Sequence, residues 1–281
     1  MNQNIIKSPK YIGVMQGRLL PKYQGNYQAH PVGNWDKEFY IAKNLSLKCI
    51  EFIFDEISFS SNPLLFKEGL NAIRKKVEET NVEIKSICAD YFMEYPFFNC
   101  IGNELERRKE LLIRLVQASI EIKSEVIVIP CVDKSSLKFS SLDVFVNNLK
   151  PIANYAAEKG IKLALETDLP PLDFKNLIDR FQPETIFVNY DIGNSASMGY
   201  SIQEEFNQYG EFIVDLHIKD RLLSGGPVIL GKGNADFKKS IDLIKINNLI
   251  NIPLIMQAYR DEEGLEIFIK QLEFFLHSWN E

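Results

Sequence analysis

Residues 162–168 read Lys162-Leu163-Ala164-Leu165-Glu166-Thr167-Asp168. A short apolar run that closes in polar residues is the pattern of a strand buried on both faces, with its last residues reaching the surface. Side chains alternate along a strand, so Leu163, Leu165 and Thr167 share one face and Ala164, Glu166 and Asp168 the other. Just upstream, Leu142, Phe145, Val146, Leu149, Ile152, Ala153 and Ala156 recur at steps of three and four, which lays one apolar stripe along a helix. Ser140 or Ser141 is placed to cap its start, and Gly160 to end it in the left-handed conformation. A helix that turns at a glycine into a buried strand is one half of a parallel unit.

The unit repeats in both directions. Strand-like runs occupy residues 11–17, 49–55, 83–91, 125–132, 162–168, 186–194, 212–221 and 253–258. Between them, Asn62-Pro63 reads as a cap with proline at the first helical position, and Phe66, Leu70, Ile73 and Val77 as the buried face behind it. Leu265, Phe268, Ile269 and Leu272 mark the last helix, while residues 172–180 and 201–209 hold short ones. Trp35 is expected to pack under the first helix. No GxGxxG follows the first strand, and no linker or charge block divides the chain. The expected fold is therefore α/β, a closed (β/α)8 TIM barrel with residues 1–281 as a single domain, a length this architecture accommodates. The longest irregular stretches, residues 19–34 and 222–235, both follow strand C-termini, the end of a barrel that carries the site.

A net charge of −6 argues against nucleic acid or an anionic membrane as partner. No run of 18 apolar residues suggests a membrane span, and the polar first ten residues lack the pattern of a secretory leader. Cys49, Cys88, Cys100 and Cys131 form no CxxC pair, and three lie in or beside strand-like runs. Buried free thiols fit a reducing, cytoplasmic setting, and no reactive role is expected of Cys131.

Polar residues gather where the strands end. The first run closes in Met15-Gln16-Gly17-Arg18, the second carries Glu51 and Asp55, and the third and fourth end at Asp90 and Asp133. Strand parity places Asp215, His217 and Lys219 on one face, and Ile255 with Gln257. A carboxylate inside a barrel is costly unless it is paired, hydrogen-bonded or bound to metal. Glu166, Asp191, His217 and Gln257, from four successive strands, can converge on one divalent ion: Mn²⁺ first, with Zn²⁺, Co²⁺ or Mg²⁺ as alternatives. The plainer reading pairs Glu166 and Asp191 with Lys219 or Arg18. Asp168 either faces the axis or caps the helix beyond Pro170 and Pro171. Asp215 either orients a ligand or forms a salt bridge, and Asp220 and Arg221 can pair across the barrel mouth. His30 is read as a surface residue and His277 as solvent-facing.

The order of Met15-Gln16-Gly17-Arg18-Leu19, Glu166-Thr167, Asp191-Ile192-Gly193-Asn194 and His217-Ile218-Lys219-Asp220-Arg221 resembles the xylose-isomerase-like superfamily of sugar phosphate isomerases and epimerases, which shares its fold with family 2 AP endonucleases. That resemblance implies a metal held by Glu, Asp, His and Glu from the fifth to eighth strands, and two glutamates that move protons on and off carbon. Gln257 stands where the second glutamate is expected, and an amide cannot act as a general base. The expectation is a metal-dependent isomerase or epimerase acting on a sugar or sugar phosphate through an enediolate, with Glu166 as base. Asp168, Lys219, Asp90 or Glu51 is left to make any second transfer. Arg18, Lys219, Arg221 and Arg260 are candidates for a substrate phosphate or carboxylate, and Gln16, Glu51, Asp90 and Asn194 for the rest of the substrate. Two alternatives stay open: an inosose-type dehydratase on the same metal platform, and a non-catalytic sugar-binding protein. A nuclease of the endonuclease IV kind, with three metals and many histidines, does not fit a chain with three histidines. The expected partner is a small sugar, with a homodimer compatible with the fold.

Overall fold

The computed structural model describes residues 9–57 and 59–281. The expectation of no secretory leader falls largely on residues 1–8, outside the described residues. Eight parallel strands close into a barrel: Tyr11–Met15, Cys49–Ile53, Glu83–Cys88, Val126–Cys131, Lys162–Thr167, Ile186–Asp191, Ile213–Ile218 and Pro253–Met256. The first strand pairs with both the second and the eighth, so the sheet has no free edge. Gly13 makes this closure sterically feasible, because a Cβ there would lie 2.5 Å from Cys49 Sγ and 2.7 Å from its carbonyl oxygen.

Two apolar layers follow from the alternation. Leu163 and Leu165 belong to the large layer between strands and helices, whereas Ala164 sits inside the barrel with Met15, Cys49, Ile53, Cys88, Val126, Val128 and Ile255. The expected parity holds. Most expected strand runs extend past the observed ends, because the chain bends once it leaves the barrel wall. At Asp191 it turns straight into a helix, Ile192–Met198. After Ile218 it enters a two-residue antiparallel ribbon, Asp220–Arg221 against Pro227–Val228, that shapes the long loop beyond.

Ser141 caps the helix Leu142–Glu158 by accepting from the Val144 amide, and Gly160 follows at φ 74°. Ser201 likewise caps Ile202–Tyr209. Asn62 caps a 3-10 turn, Pro63–Leu65, by accepting from Leu64 N at 3.1 Å, and the α-helix proper runs Lys67–Thr80. Phe66, expected on the buried face, is instead the extended residue between the two and is 45% exposed. Trp35 packs edge-on against Phe39 and Phe52. All four cysteines are free and buried. Among the described residues no helix is long and apolar enough to cross a membrane.

Candidate functional site

The C-terminal ends of the strands collect buried charge around His217. The strand register sets Asp191 beside His217 on the neighbouring strand. Glu166, Asp191 and His217 each offer one ligand atom, and these atoms lie within 4.8 Å of one another. His217 Nδ1 stands 3.8 Å from Glu166 Oε2 and 3.9 Å from Asp191 Oδ2, and it has no hydrogen-bond partner. Roughly 3.3–3.4 Å separates the ligand atoms of a tetrahedral ion with 2.0–2.1 Å bonds, so each of these two distances is about half an ångström longer than a bound ion would hold it.

The other face of the imidazole is fixed. Nε2 meets Glu51 Oε1 at 2.8 Å, and Ser86 Oγ donates to Glu51 Oε2 at 2.6 Å. Asp215 lies alongside, 3.8 Å from Nε2; it accepts from Asn189 at 2.8 Å and leaves Oδ2 without a partner. A carboxylate on one ring nitrogen fixes the tautomer that presents the other to a metal. Four carboxylates (Glu51, Glu166, Asp191 and Asp215) are thus buried around one imidazole and one ammonium, that of Lys219. That excess of negative charge is costly unless protons or a cation offset it.

The charges show the strain. Burial pushes Glu166 up, against the pull of His217. Burial acts the same way on Asp191, but Lys219, His217 and the Asn194 amide together hold it below the usual carboxylate range. Burial alone would lower His217, yet Glu51, Glu166 and Asp215 overcome it and raise it. Burial and the neighbouring Glu51 push Asp215 well up.

The local sequence explains these placements. Asp191 ends its strand and caps the following helix, accepting from Asn194 N at 2.8 Å through Oδ1 while Oδ2 faces the triad. Asn194 then reaches back, donating to Glu166 Oε1 at 2.6 Å and accepting from Arg221 at 2.9 Å. Gly193 leaves room for the stem of Lys219, whose Cγ would lie 2.8 Å from a Cβ there. Lys219 Nζ donates to Asp191 Oδ2 at 3.3 Å and to Gln257 Oε1 at 3.0 Å. Gln257 therefore joins the triad through Lys219, its amide oxygen turned to the ammonium.

Above the triad opens a cavity of about 240 Å³. Glu166, Asp90, Asn194, Lys219, Arg221 and Gln257 line it, together with Tyr27, Gln28 and Asp133. Gln28 lies in the first long loop and Asp133 at the end of the fourth strand. Their signal in the sequence was position alone, since neither belongs to a motif. Asp133 holds a left-handed backbone at φ 49°.

The structure places the remaining expected residues elsewhere. Glu51 lies beneath His217, fully buried. Arg18 and Arg260 are 1% and 2% exposed and bind backbone: Arg18 donates to Ala258 O and Tyr27 O, and Arg260 to Gly17 O and Leu20 O. Gln16 accepts from Ile53 N and meets His30 Nδ1 at 2.9 Å. His30 is itself 1% exposed, which corrects the surface reading: Asp55 accepts from its backbone amide and its ring stacks by Phe52. Asp168 accepts from Ser136 at 2.9 Å and makes no cap, the helix Pro171–Ile178 starting behind Pro170 without one. Asp220 does not pair with Arg221; it accepts from the amides of Gly231, Gly233 and Ala235 at 2.8–3.0 Å. His277 is solvent-facing, beside Glu281.

A family model described as a xylose isomerase-like TIM barrel matches residues 39–277. A search of curated protein sequences gives no match. Among solved structures, D-allulose 3-epimerase from Methylomonas sp. in complex with D-allulose is 15% identical, with 97% of this chain and 98% of that one covered at a TM-score of 0.72. The 3-keto-D-glucoside 4-epimerase of E. coli is also 15% identical, covering 96% and 100% at 0.70. The IolI protein with a bound zinc atom is 12% identical, covering 96% and 98% at 0.72. At these identities the likeness is one of fold.

Proposed function

The chain belongs to the xylose isomerase-like TIM barrel family, and within that family we propose that it is a metal-dependent isomerase or epimerase of a sugar or sugar phosphate. The observation that carries this reading is the unpartnered Nδ1 of His217 facing Glu166 and Asp191 at the mouth of the barrel. Those three residues would hold one divalent ion, with the Gln257 amide oxygen as the fourth donor once it gives up the Lys219 ammonium. Two carboxylates, an imidazole and an amide suit Mn²⁺, Zn²⁺, Co²⁺ or Mg²⁺. The ion would supply the polarisation of a substrate carbonyl.

The chain's own residues supply the rest. Glu166 faces the cavity, with one oxygen held by Asn194 and a proton affinity raised by burial, and is the base that takes the proton beside the carbonyl. Arg221 and Lys219 offer positive charge to the substrate from one wall. Gln257 neither gives nor takes a proton, which also favours a second reading, a single-base dehydration of a related sugar.

Metal analysis of the purified protein tests the proposal together with turnover of a ketose and ketose phosphate panel. About one transition-metal ion per chain is expected, lost in His217→Ala, with turnover abolished by a chelator and by Glu166→Gln. A protein that carries no metal and binds sugar equally well after chelation is a binder, not an enzyme.

A further inference from the structure

The site as proposed has one base and, in Gln257, a neutral amide where a second is expected. Four side chains are candidates to make up the deficit, and the structure separates them. Asp168 is turned away onto Ser136. Glu51 lies under His217, fully buried and outside the lining of the cavity. Lys219 lies against two of the proposed metal ligands, Asp191 and Gln257. Asp90 remains: it lines the cavity and, among the described residues, is paired with no cation.

Its attachments set its position. Gln28 Nε2 donates to Asp90 Oδ2 at 2.6 Å, and Gln28 Oε1 accepts from Gln257 Nε2 at 3.2 Å and from Arg18 at 3.0 Å. One side chain therefore joins Asp90 to the residue that has lost the base. Glu166, by contrast, is held by Asn194 on the sixth-strand side. Asp90 follows the third strand and Glu166 lies on the fifth, so the two carboxyl groups reach the cavity from different strands. Asp90 Oδ1 meets Cys88 Sγ at 3.1 Å, and burial raises the affinity of Asp90 for a proton. Asp133, the other acid on the wall, is exposed to water.

We propose that Asp90 is the second proton-transfer residue of this site, so that the reaction is an epimerisation at the carbon beside a ketose carbonyl. The inference rests on the metal-dependent reading above. Glu166 takes the proton from that carbon, and the C–H electron pair moves into the carbonyl to give the enediolate. Protonated Asp90 then delivers a proton to the same carbon from the other side, and the electron pair returns to form the new C–H bond and the carbonyl. Water restores Glu166 as carboxylate and Asp90 as acid, so no oxidant or further reactant is consumed.

The test uses the full chain loaded with Mn²⁺ and a panel of 2-ketohexoses and their phosphates in D₂O. Wild type is expected to form inverted ketose carrying deuterium at the reacting carbon. Asp90→Asn is expected to lose product formation by about 100-fold or more, while deuterium still enters the recovered substrate within about threefold of the wild-type rate, because Glu166 alone can remove and return the proton. Glu166→Gln is expected to lose both. Asp90→Glu is expected to recover at least about a tenth of product formation, which a packing role would not give. Should Asp90→Asn fail to fold, Asp90→Ser replaces it. Product formation by folded, metal-loaded Asp90→Asn within a few fold of wild type overturns the assignment of Asp90 alone. A wild type that neither exchanges nor converts any ketose overturns the metal-dependent reading, and this inference with it.

Discussion

At the scale of single residues the centre turns on His217, which touches two shells of carboxylates with its two nitrogens. Glu51→Gln keeps the size of the side chain but exchanges a charged acceptor for a neutral one. The expected result is a 10- to 100-fold weaker metal affinity, on the order found for partners that orient a ligand from behind, measured by competition with a chromophoric chelator. Because its neighbours raise His217, the metal-free imidazole carries its proton at neutral pH. A metal must displace that proton from Nδ1 and the one that burial favours on Glu166, so affinity should climb with pH by more than tenfold per unit below the raised Glu166 value and by about tenfold per unit from there until the His217 value is passed. A pH-independent affinity would show that Nδ1 is not a ligand. Glu166, Asp191 and His217 were legible in the sequence because strand parity and spacing alone aim them inward. Arg18, Arg260 and His30 were not, because a charge at the end of a strand reads the same whether it meets substrate or the backbone of its own loop. Only the path of residues 19–34 decides between the two, and no periodicity encodes that path.

Among the elements, glycines mark where strands and side chains come closest. Gly193→Ala puts a methyl group on the stem of Lys219, with backbone of the same residue only 3.0 Å away. Overpacking of this kind costs roughly 1–3 kcal/mol, and it should displace the ammonium from Asp191 and Gln257. The check is a fall in denaturation midpoint together with altered metal affinity. Gly13→Ala, pressed against Cys49, should destabilise the barrel closure by a similar amount and leave metal affinity in the surviving folded fraction unchanged. The helix ends were readable where a cap has its own chemistry, as at Ser141, Ser201 and Gly160. Strand ends were read too long, at Asp191 and Ile218 above all, since polar residues that continue the alternation look like strand after the ladder has stopped.

For the whole molecule, an ion bound to the folded state alone adds stability by mass action, about 2.7 kcal/mol at a hundredfold excess over Kd. In a chain of this size that corresponds to a rise in Tm of roughly 4–5 °C, reversed by chelation and small in His217→Ala. The architecture itself was legible from the eight-fold alternation together with the absence of a GxGxxG after the first strand, since an open doubly wound sheet also buries its strands on both faces. The covering of the cavity was not, because it depends on Asp220 gripping three amides of its own distal loop. That grip takes main-chain amides and admits no side chain at Gly233, where a Cβ would lie 2.1 Å from Asp220 Oδ1. Residues 222–230 are thereby fastened from outside their own length, so they can vary like an interchangeable visor, altering which guest is admitted while the furnace below stays as it is.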